Sequence, residues 1–388
     1  MALSIGTFNV WGLPETFGVG DDVSSRMRMI ARDLSRCGLD LLLIQEAWTK
    51  EVRETLAAGA RAAGFGVAQG PGASGGLMTL SRRPIDSTRF DRFGFRGDPE
   101  RVAQGEFLGG KGFQTTVIEG DDGPLRVINT HVHARYRRER PQLNSAVRTA
   151  QLLEIVGRLD ASPETFVIGG DFNCTANDPE YQIFRALSGA IELGGGSDHP
   201  TLSRANYYKR HRSGQDKRID FLFVRPAEGT DWEARDVRLI FAEPARIRDI
   251  DRSLSDHFGF RAELSLSNAA RTLASSRASR PDPRAFELAR RLLEVGRAET
   301  DRRERAHSLS ALGWAGTALL ACGVRRTSVV DRRRFLRAGA KAAAVVAVGP
   351  ALAFGSLARL DSDRKRDAFD DAHAVLASLE GDAGRARS

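Results

Sequence analysis

Cysteine is scarce in this 388-residue chain: Cys37, Cys174 and Cys322 are odd in number and far apart, and no pair stands at metal-ligand spacing. Neither a disulfide framework nor a structural zinc site is therefore expected, and a reducing compartment is the simple reading. The N-terminus, Met1-Ala2-Leu3-Ser4-Ile5-Gly6-Thr7-Phe8-Asn9, has no basic region and no long apolar run, so no cleavable secretion signal is expected. Internal repeats are absent. Excess positive charge is also missing from most of the chain. The formal net charge is +8, yet residues 1–266 hold 35 Lys/Arg against 36 Asp/Glu, while residues 267–388 hold 23 against 14. A protein that grips a nucleic-acid backbone usually gathers cations around its site, whereas a basic segment beside apolar stretches is drawn to anionic lipid headgroups. The distribution favours a membrane partner over nucleic acid.

What is present suits one large domain with an appendage, since 41% of residues are hydrophobic and 28% charged. Short, nearly continuous apolar runs end in polar residues: Asp40 to Glu46, Leu125 to His131, and Phe166 to Asp171. Such runs predict buried strands. Between them, Ser24 to Gly38 and Asn144 to Leu159 carry helical periodicity. Strands alternating with helices and hairpins predict an α/β or α+β sandwich. Residues 1–266 form the expected catalytic domain. Residues 267–283, with Pro281 and Pro283, predict a linker, and residues 284–388 a helical extension that begins with a charged helix over 284–305. Its apolar segments, 309–324 and 342–358, are short against the roughly 20 residues of a spanning helix, so a membrane-lying hairpin and a buried helical pair both stand as readings. Asp331-Arg332-Arg333-Arg334-Phe335-Leu336-Arg337 resembles a twin-arginine export signal displaced from its N-terminal place, and reads as a basic membrane flank.

The chemistry gathers at strand ends, where neighbouring strands converge on one rim. Asn9, Glu46, His131, Asp171, Asp220 and His257 all stand at such ends or just beyond. Phosphodiester hydrolysis needs charge neutralisation, a base for water and donors around the phosphoryl oxygens. Glu46 offers a carboxylate suited to hard Mg²⁺. Gly169-Gly170-Asp171-Phe172-Asn173 sets a carboxylate beside an amide, with two glycines expected to turn the backbone. His257, ahead of an alternating strand, is the natural base, and Asp220 is placed to orient it. A second Ser-Asp-His triplet, Ser197-Asp198-His199, is followed by Pro200 in a Gly-rich loop and reads as a decoy.

Taken in order, Thr7-Phe8-Asn9, Gln45-Glu46, Asn129-Thr130-His131, Gly170-Asp171-Phe172-Asn173, Arg218-Ile219-Asp220 and Ser255-Asp256-His257 resemble the signature of the endonuclease/exonuclease/phosphatase superfamily. The resemblance implies a DNase-like, four-layered sandwich of two mixed sheets with helices outside, and dependence on Mg²⁺, with Mn²⁺ as a substitute. It makes Glu46 the principal metal ligand with Asn9 beside it and Asp256 near a metal. It has Asp171 and Asn173 position water and phosphate, His131 donate to a phosphoryl oxygen, and His257, oriented by Asp220, take the proton.

Within the superfamily the chain most resembles neutral sphingomyelinases. Phe8-Asn9-Val10-Trp11-Gly12-Leu13-Pro14 is similar to their start, and His131-Val132-His133-Ala134-Arg135-Tyr136 to their His-x-His-Ala-x-Tyr string. Glu106 to Gly112 is similar to a loop in which an acidic residue, usually Asp, stands five places before a lysine, so Glu106 departs from the pattern while Lys111 fits a phosphate-directed cation. Asn9, Lys111, His133 and Tyr136 are accordingly expected at the substrate, sphingomyelin in a phospholipid surface. The expected location is cytoplasmic or membrane-associated through the extension. Two alternatives stay open: a nuclease or other phospholipid phosphodiesterase with the same chemistry, and an inactive membrane-binding scaffold.

Overall fold

The computed structural model describes residues 2–15, 20–70, 72, 74–98, 109–121, 123–135, 141–195, 199–230, 232–266, 282–325 and 334–385. Glu106, Tyr136, Ser197, Asp198, most of the expected linker and Arg332-Arg333 lie outside the described residues.

Two mixed sheets form the centre. The first orders its strands β11 (Trp232–Ile240), β14 (Gly259–Leu266), β1 (Ala2–Asn9), β2 (Leu41–Gln45), β4 (Met78–Ser81) and β3 (Gly66–Ala68). The second runs β5 (Ile85–Arg92), β6 (Gly112–Gly120), β7 (Gly123–His131), β8 (Phe166–Asp171), β10 (Asp220–Arg225) and β9 (Ile191–Glu192). A ribbon of β12 (Ala245–Ile247) and β13 (Ile250–Arg252) stands apart.

Each sheet has a parallel pair at its middle, flanked by antiparallel neighbours. This arrangement builds the rim. Parallel β1 and β2 finish together with Asn9 opposite Gln45, and parallel β7 and β8 with His131 opposite Asp171. Antiparallel β10 and β14 start where their partners end, Asp220 opposite Asp171 and Phe260 opposite Thr7.

The two sheets face each other through Leu3, Ile5, Leu41, Leu43, Val127, Val167, Leu222 and Phe260. Because the outer faces are covered as well, these central strands read as unbroken apolar runs. Leu42, Ile44 and Phe8 turn the other way, onto Met27 and Ile30 of α1 (Val23–Asp33) and Leu56 of α2 (Lys50–Ala62). On the far side, α3 (Pro141–Asp160) and α4 (Pro179–Leu187) bury Leu152, Ile155, Tyr181 and Phe184 against Ile128, Ile168, Phe221 and Phe223. The layers are therefore helix, sheet, sheet, helix, the four-layered α/β sandwich expected.

The C-terminal part joins this last layer. The expected charged helix and first apolar stretch form one continuous 43-residue helix, α5 (Pro283–Arg325). Phe286, Ala289, Leu292 and Leu293 of α5, with Phe369, Ala372 and Leu376 of α7 (Ser362–Arg385), belong to the same buried cluster as α3. Lys365 donates to Asp98 at 2.6 Å and pairs with Asp361 at 2.5 Å, while Arg303 also pairs with Asp98. Beyond these contacts the second half of α5 packs along α6 (Arg334–Ser356). On that pair Leu309, Leu319, Leu320, Val345 and Leu352 are each at least 67% exposed. The helical run Lys341–Asp382 holds a stretch of mean hydropathy 1.7, long and apolar enough to cross a membrane by length and composition.

Candidate active site

Asn9 is the hub of the rim. Its Nδ2 donates to Glu46 Oε1 at 2.9 Å and to Asp171 Oδ2 at 3.0 Å, so one amide from the first sheet joins carboxylates from both. His131 Nε2 lies 3.6 Å from Asp171 Oδ2 and 3.9 Å from Glu46 Oε1. His257 Nε2 faces the same Asp171 oxygen at 4.0 Å, and its Nδ1 is 2.9 Å from Asp220 Oδ2. Asn173, at φ 50°, turns the chain after β8 so that its backbone N–H donates to Asp171 Oδ1 at 2.9 Å and its Nδ2 to the Val132 carbonyl at 3.2 Å. Lys111 Nζ donates to that same carbonyl at 2.9 Å. Six strand-end residues from two sheets thus meet in one place, with Asn173 and Lys111 at its edge.

Other expected members stand differently. Asp256 is buried next to His257, but its carboxylate is engaged by Lys209 at 2.7 Å. His133 faces away from the rim. Its backbone is held by Gln151 and Arg148, and its side chain lines a small cavity with Phe95, Asp98, Lys365 and Phe369, against the C-terminal helices. Tyr136 lies outside the described residues. His199 packs beside Phe260, and two places on Thr201 accepts from the Ile219 and Asp220 N–H groups, so this loop braces the start of β10 at Asp220.

Several residues that hold the site were not singled out for these tasks. Gln45 Nε2 donates to Asn129 Oδ1 at 2.8 Å, and Asn129 Nδ2 donates back to the Ile44 and Met78 carbonyls, stitching the sheets together just below the carboxylates. Ser255 Oγ donates to the Asn9 carbonyl at 2.7 Å. Arg26 is fully buried and donates to the carbonyls of Val10, Trp11, Asp21 and Leu254, tying the end of β1 to the loop before β14. One signal was legible: Arg26 interrupts the apolar face that Val23, Met27 and Ile30 define, and a charge there must find internal partners.

The electrostatics follow from crowding. Burial, then the Asp256 charge, raises Glu46 above the usual carboxylate range. Burial and Asp220 push Asp171 up to about 7. Burial alone would lower His257, but Asp220, Asp256 and Asp171 outweigh it and raise the imidazole to about 10. Burial acts to raise Asp256, yet His257 and Lys209 bring it below the ordinary value. Donor atoms of Glu46, His131 and Asp171 lie within 4.8 Å of one another. Two carboxylates raised by burial and by the nearby Asp256 and Asp220 charges, beside an amide and an imidazole, offer oxygen and nitrogen donors whose unfavourable charge a divalent cation would relieve. These residues fit such an ion.

The Endonuclease/Exonuclease/phosphatase family matches residues 6–257. The chain belongs to that family. Among relatives, a Drosophila melanogaster protein named provisionally as a neutral sphingomyelinase is 28% identical over 283 residues, covering 69% of this chain and 61% of its own length. An inositol phosphosphingolipids phospholipase C of Schizosaccharomyces pombe is 25% identical over 302 residues, covering 68% of each. Staphylococcus aureus beta toxin, in a structure with bound magnesium ions, superposes with a TM-score of 0.56 at 17% identity over 68% of this chain and 99% of that one, a likeness of fold. The match to the Drosophila relative leaves more than a third of that protein uncovered.

Proposed function

We propose that this family member is a Mg²⁺-dependent phosphodiesterase that hydrolyses sphingomyelin to ceramide and phosphocholine. The observation that carries the chemistry is the His257–Asp220 pair facing the Asn9–Glu46–Asp171 group across 4.0 Å. Glu46 and Asp171, with Asn9 beside them, would hold the cation, which when bound supplies neutralising charge to the phosphoryl oxygens. The Asp220, Asp256 and Asp171 charges that raise the imidazole would be offset with the cation in place, so that Nε2, oriented by Asp220, would accept the proton of the attacking water as its oxygen bonds to phosphorus. The bond to the ceramide oxygen breaks on the opposite side, and ceramide leaves as its alkoxide. His131, Lys111 and the Asn173 amide stand where they would donate to the phosphoryl oxygens.

The choice of lipid rests on the His131 to Tyr136 string, the near-neutral catalytic part and the sphingolipid names of the relatives. None of the expected catalytic residues is replaced, which disfavours an inactive scaffold. The deciding experiment offers vesicles of sphingomyelin, inositol phosphoceramide or phosphatidylcholine, and DNA, each with Mg²⁺, Mn²⁺ or chelator. Metal-dependent phosphocholine release from sphingomyelin is expected. Preference for inositol phosphoceramide would move the substrate within the sphingolipids, and cleavage of DNA or phosphatidylcholine alone would discard the lipid assignment.

A further inference from the structure

Trp48 lies two residues after Glu46, and its backbone is pinned from several sides. Ala47 N–H donates to the Gly76 carbonyl at 2.9 Å, Arg53 Nη1 donates to the Trp48 carbonyl at 2.6 Å, and Thr49 caps α2 by accepting from Val52 N–H. With the backbone so held, the indole lies against glycines from two other segments. A Cβ on Gly76 would meet the ring at 3.0 Å, and one on Gly109 would meet it at 2.9 Å. Only glycine lets both backbones approach a ring this closely. The indole centroid is also 6.2 Å from that of His131, at the edge of the rim.

Gly109 begins the three-residue lead-in to β6, Gly109-Gly110-Lys111, which enters the strand at Gly112. Gly110 has φ 59° against the Arg92 guanidinium, and a Cβ on Gly112 would sit 2.1 Å from the Asp91 carbonyl. This path is therefore constrained on one side by β5 and on the other by the indole. Lys111, at its end, reaches the Val132 carbonyl that also holds the Asn173 amide.

We propose that Trp48 is a positioning residue of this site, a wedge that sets the backbone path of Lys111 and through it the reach of the ammonium to the phosphoryl oxygens. The proposal rests on the phosphodiesterase reading. A half-buried aromatic that merely filled space would affect stability without this coupling.

The test is a double-mutant cycle in the full chain with Trp48→Ala, Lys111→Ala and both, plus Trp48→Phe, measuring kcat and KM on sphingomyelin and, by calorimetry, affinity for inorganic phosphate in Mg²⁺. Because small misplacements of a donor are costly, Trp48→Ala is expected to lower kcat about 10- to 100-fold with KM changed less than about threefold. In the Lys111→Ala background the same change is expected to cost under about threefold, since interacting sites are non-additive. Trp48→Phe, which keeps a ring between the glycines, recovers most of the rate. Losses that multiply in the double variant, or a Trp48→Ala protein with normal kcat and only a lower melting temperature, would overturn the wedge. Should the unaltered protein release no phosphocholine, the substrate reading fails alone. The phosphate arm then decides: weakened binding in Trp48→Ala that vanishes in the Lys111→Ala background upholds the wedge, and unchanged or additive binding removes it.

Discussion

Gly170 illustrates how a single residue serves the site for a reason different from the one its neighbours suggest. The Gly169-Gly170 pair reads as a turn that presents Asp171, yet both residues lie inside β8, and the turn comes later at Asn173. Gly170 is glycine because φ is 146° and a Cβ would sit 1.9 Å from the Thr130 carbonyl; Gly169 is glycine because Leu222 and Leu43 press on it from within the sheet sandwich. Gly170→Ala should therefore destabilise the protein by roughly 2–4 kcal/mol, measured by denaturant unfolding, through strain at a closed backbone position. An unchanged midpoint would mean that the strands separate more easily than this contact implies. His257→Ala makes a different prediction: the protein still folds cooperatively, with some loss of stability because buried Asp220 loses its partner, but turnover falls by about 10³-fold or more because the general base is gone. A folded variant with normal turnover would refute the assigned base.

At the scale of elements, the C-terminal helices behave as part of the sandwich. Phe286, Leu292, Leu293, Phe369 and Leu376 share one buried cluster with α3, and each such side chain contributes about 1.5–3 kcal/mol when buried. Together they compare with the whole ~5–15 kcal/mol margin of a typical domain. A chain ended after Leu266 is expected to aggregate or lose its cooperative transition, whereas one that joins Arg305 to Asp361 through a short Gly/Ser linker should keep both fold and transition, as light scattering and calorimetry would report. The same interface carries a titrating group. Glu154 of α3 accepts from Gly94 N–H at 3.1 Å, and burial raises its carboxyl to about 8 from the ordinary 4.5. Since the folded value lies above the unfolded one, this group's stabilising contribution is complete below about pH 4.5 and is lost as pH rises through about 8. Glu154→Gln should accordingly match the unaltered protein near pH 5 and exceed it in melting temperature near pH 8.5. Equal melting curves at both pH values would show that Glu154 ionises freely in the folded chain.

At the scale of the molecule, charge and apolar surface are segregated. Residues 1–266 are close to neutral while residues 267–388 hold 23 Lys/Arg against 14 Asp/Glu, and the exposed apolar side chains concentrate on α5 and α6 beyond the docked contacts. A patch of this kind suits a lipid surface. Replacing Leu319, Leu320 and Val345 with Asp is expected to abolish co-flotation with anionic vesicles while leaving hydrolysis of detergent-dispersed sphingomyelin within about twofold, because these side chains are exposed on α5 and α6 and apolar burial scales with area. Retained flotation would locate membrane contact elsewhere, and a lost detergent activity would tie the hairpin to the site.

Much was legible from the chain alone. Buried strands with a polar residue at the C-terminal end have a local signature, so Asn9, Glu46, His131 and Asp171 could be proposed from spacing, and their order suggested the family. The sharing of one Asn9 amide by two carboxylates could not, because it depends on how two sheets meet across Gly169. Nor could the diversion of His133 to the C-terminal helices: it lies past the end of β7, where strand alternation no longer fixes its face, and what it meets is decided by contacts distant in sequence, such as Phe95 with Phe369. Local pattern thus determined which polar residues stand at the strand ends and where strands and helices run. Tertiary packing alone decided which of them meet, because the hydrogen bonds that join Asn9 to Asp171 and Gln45 to Asn129 exist only once the apolar faces between the sheets have closed.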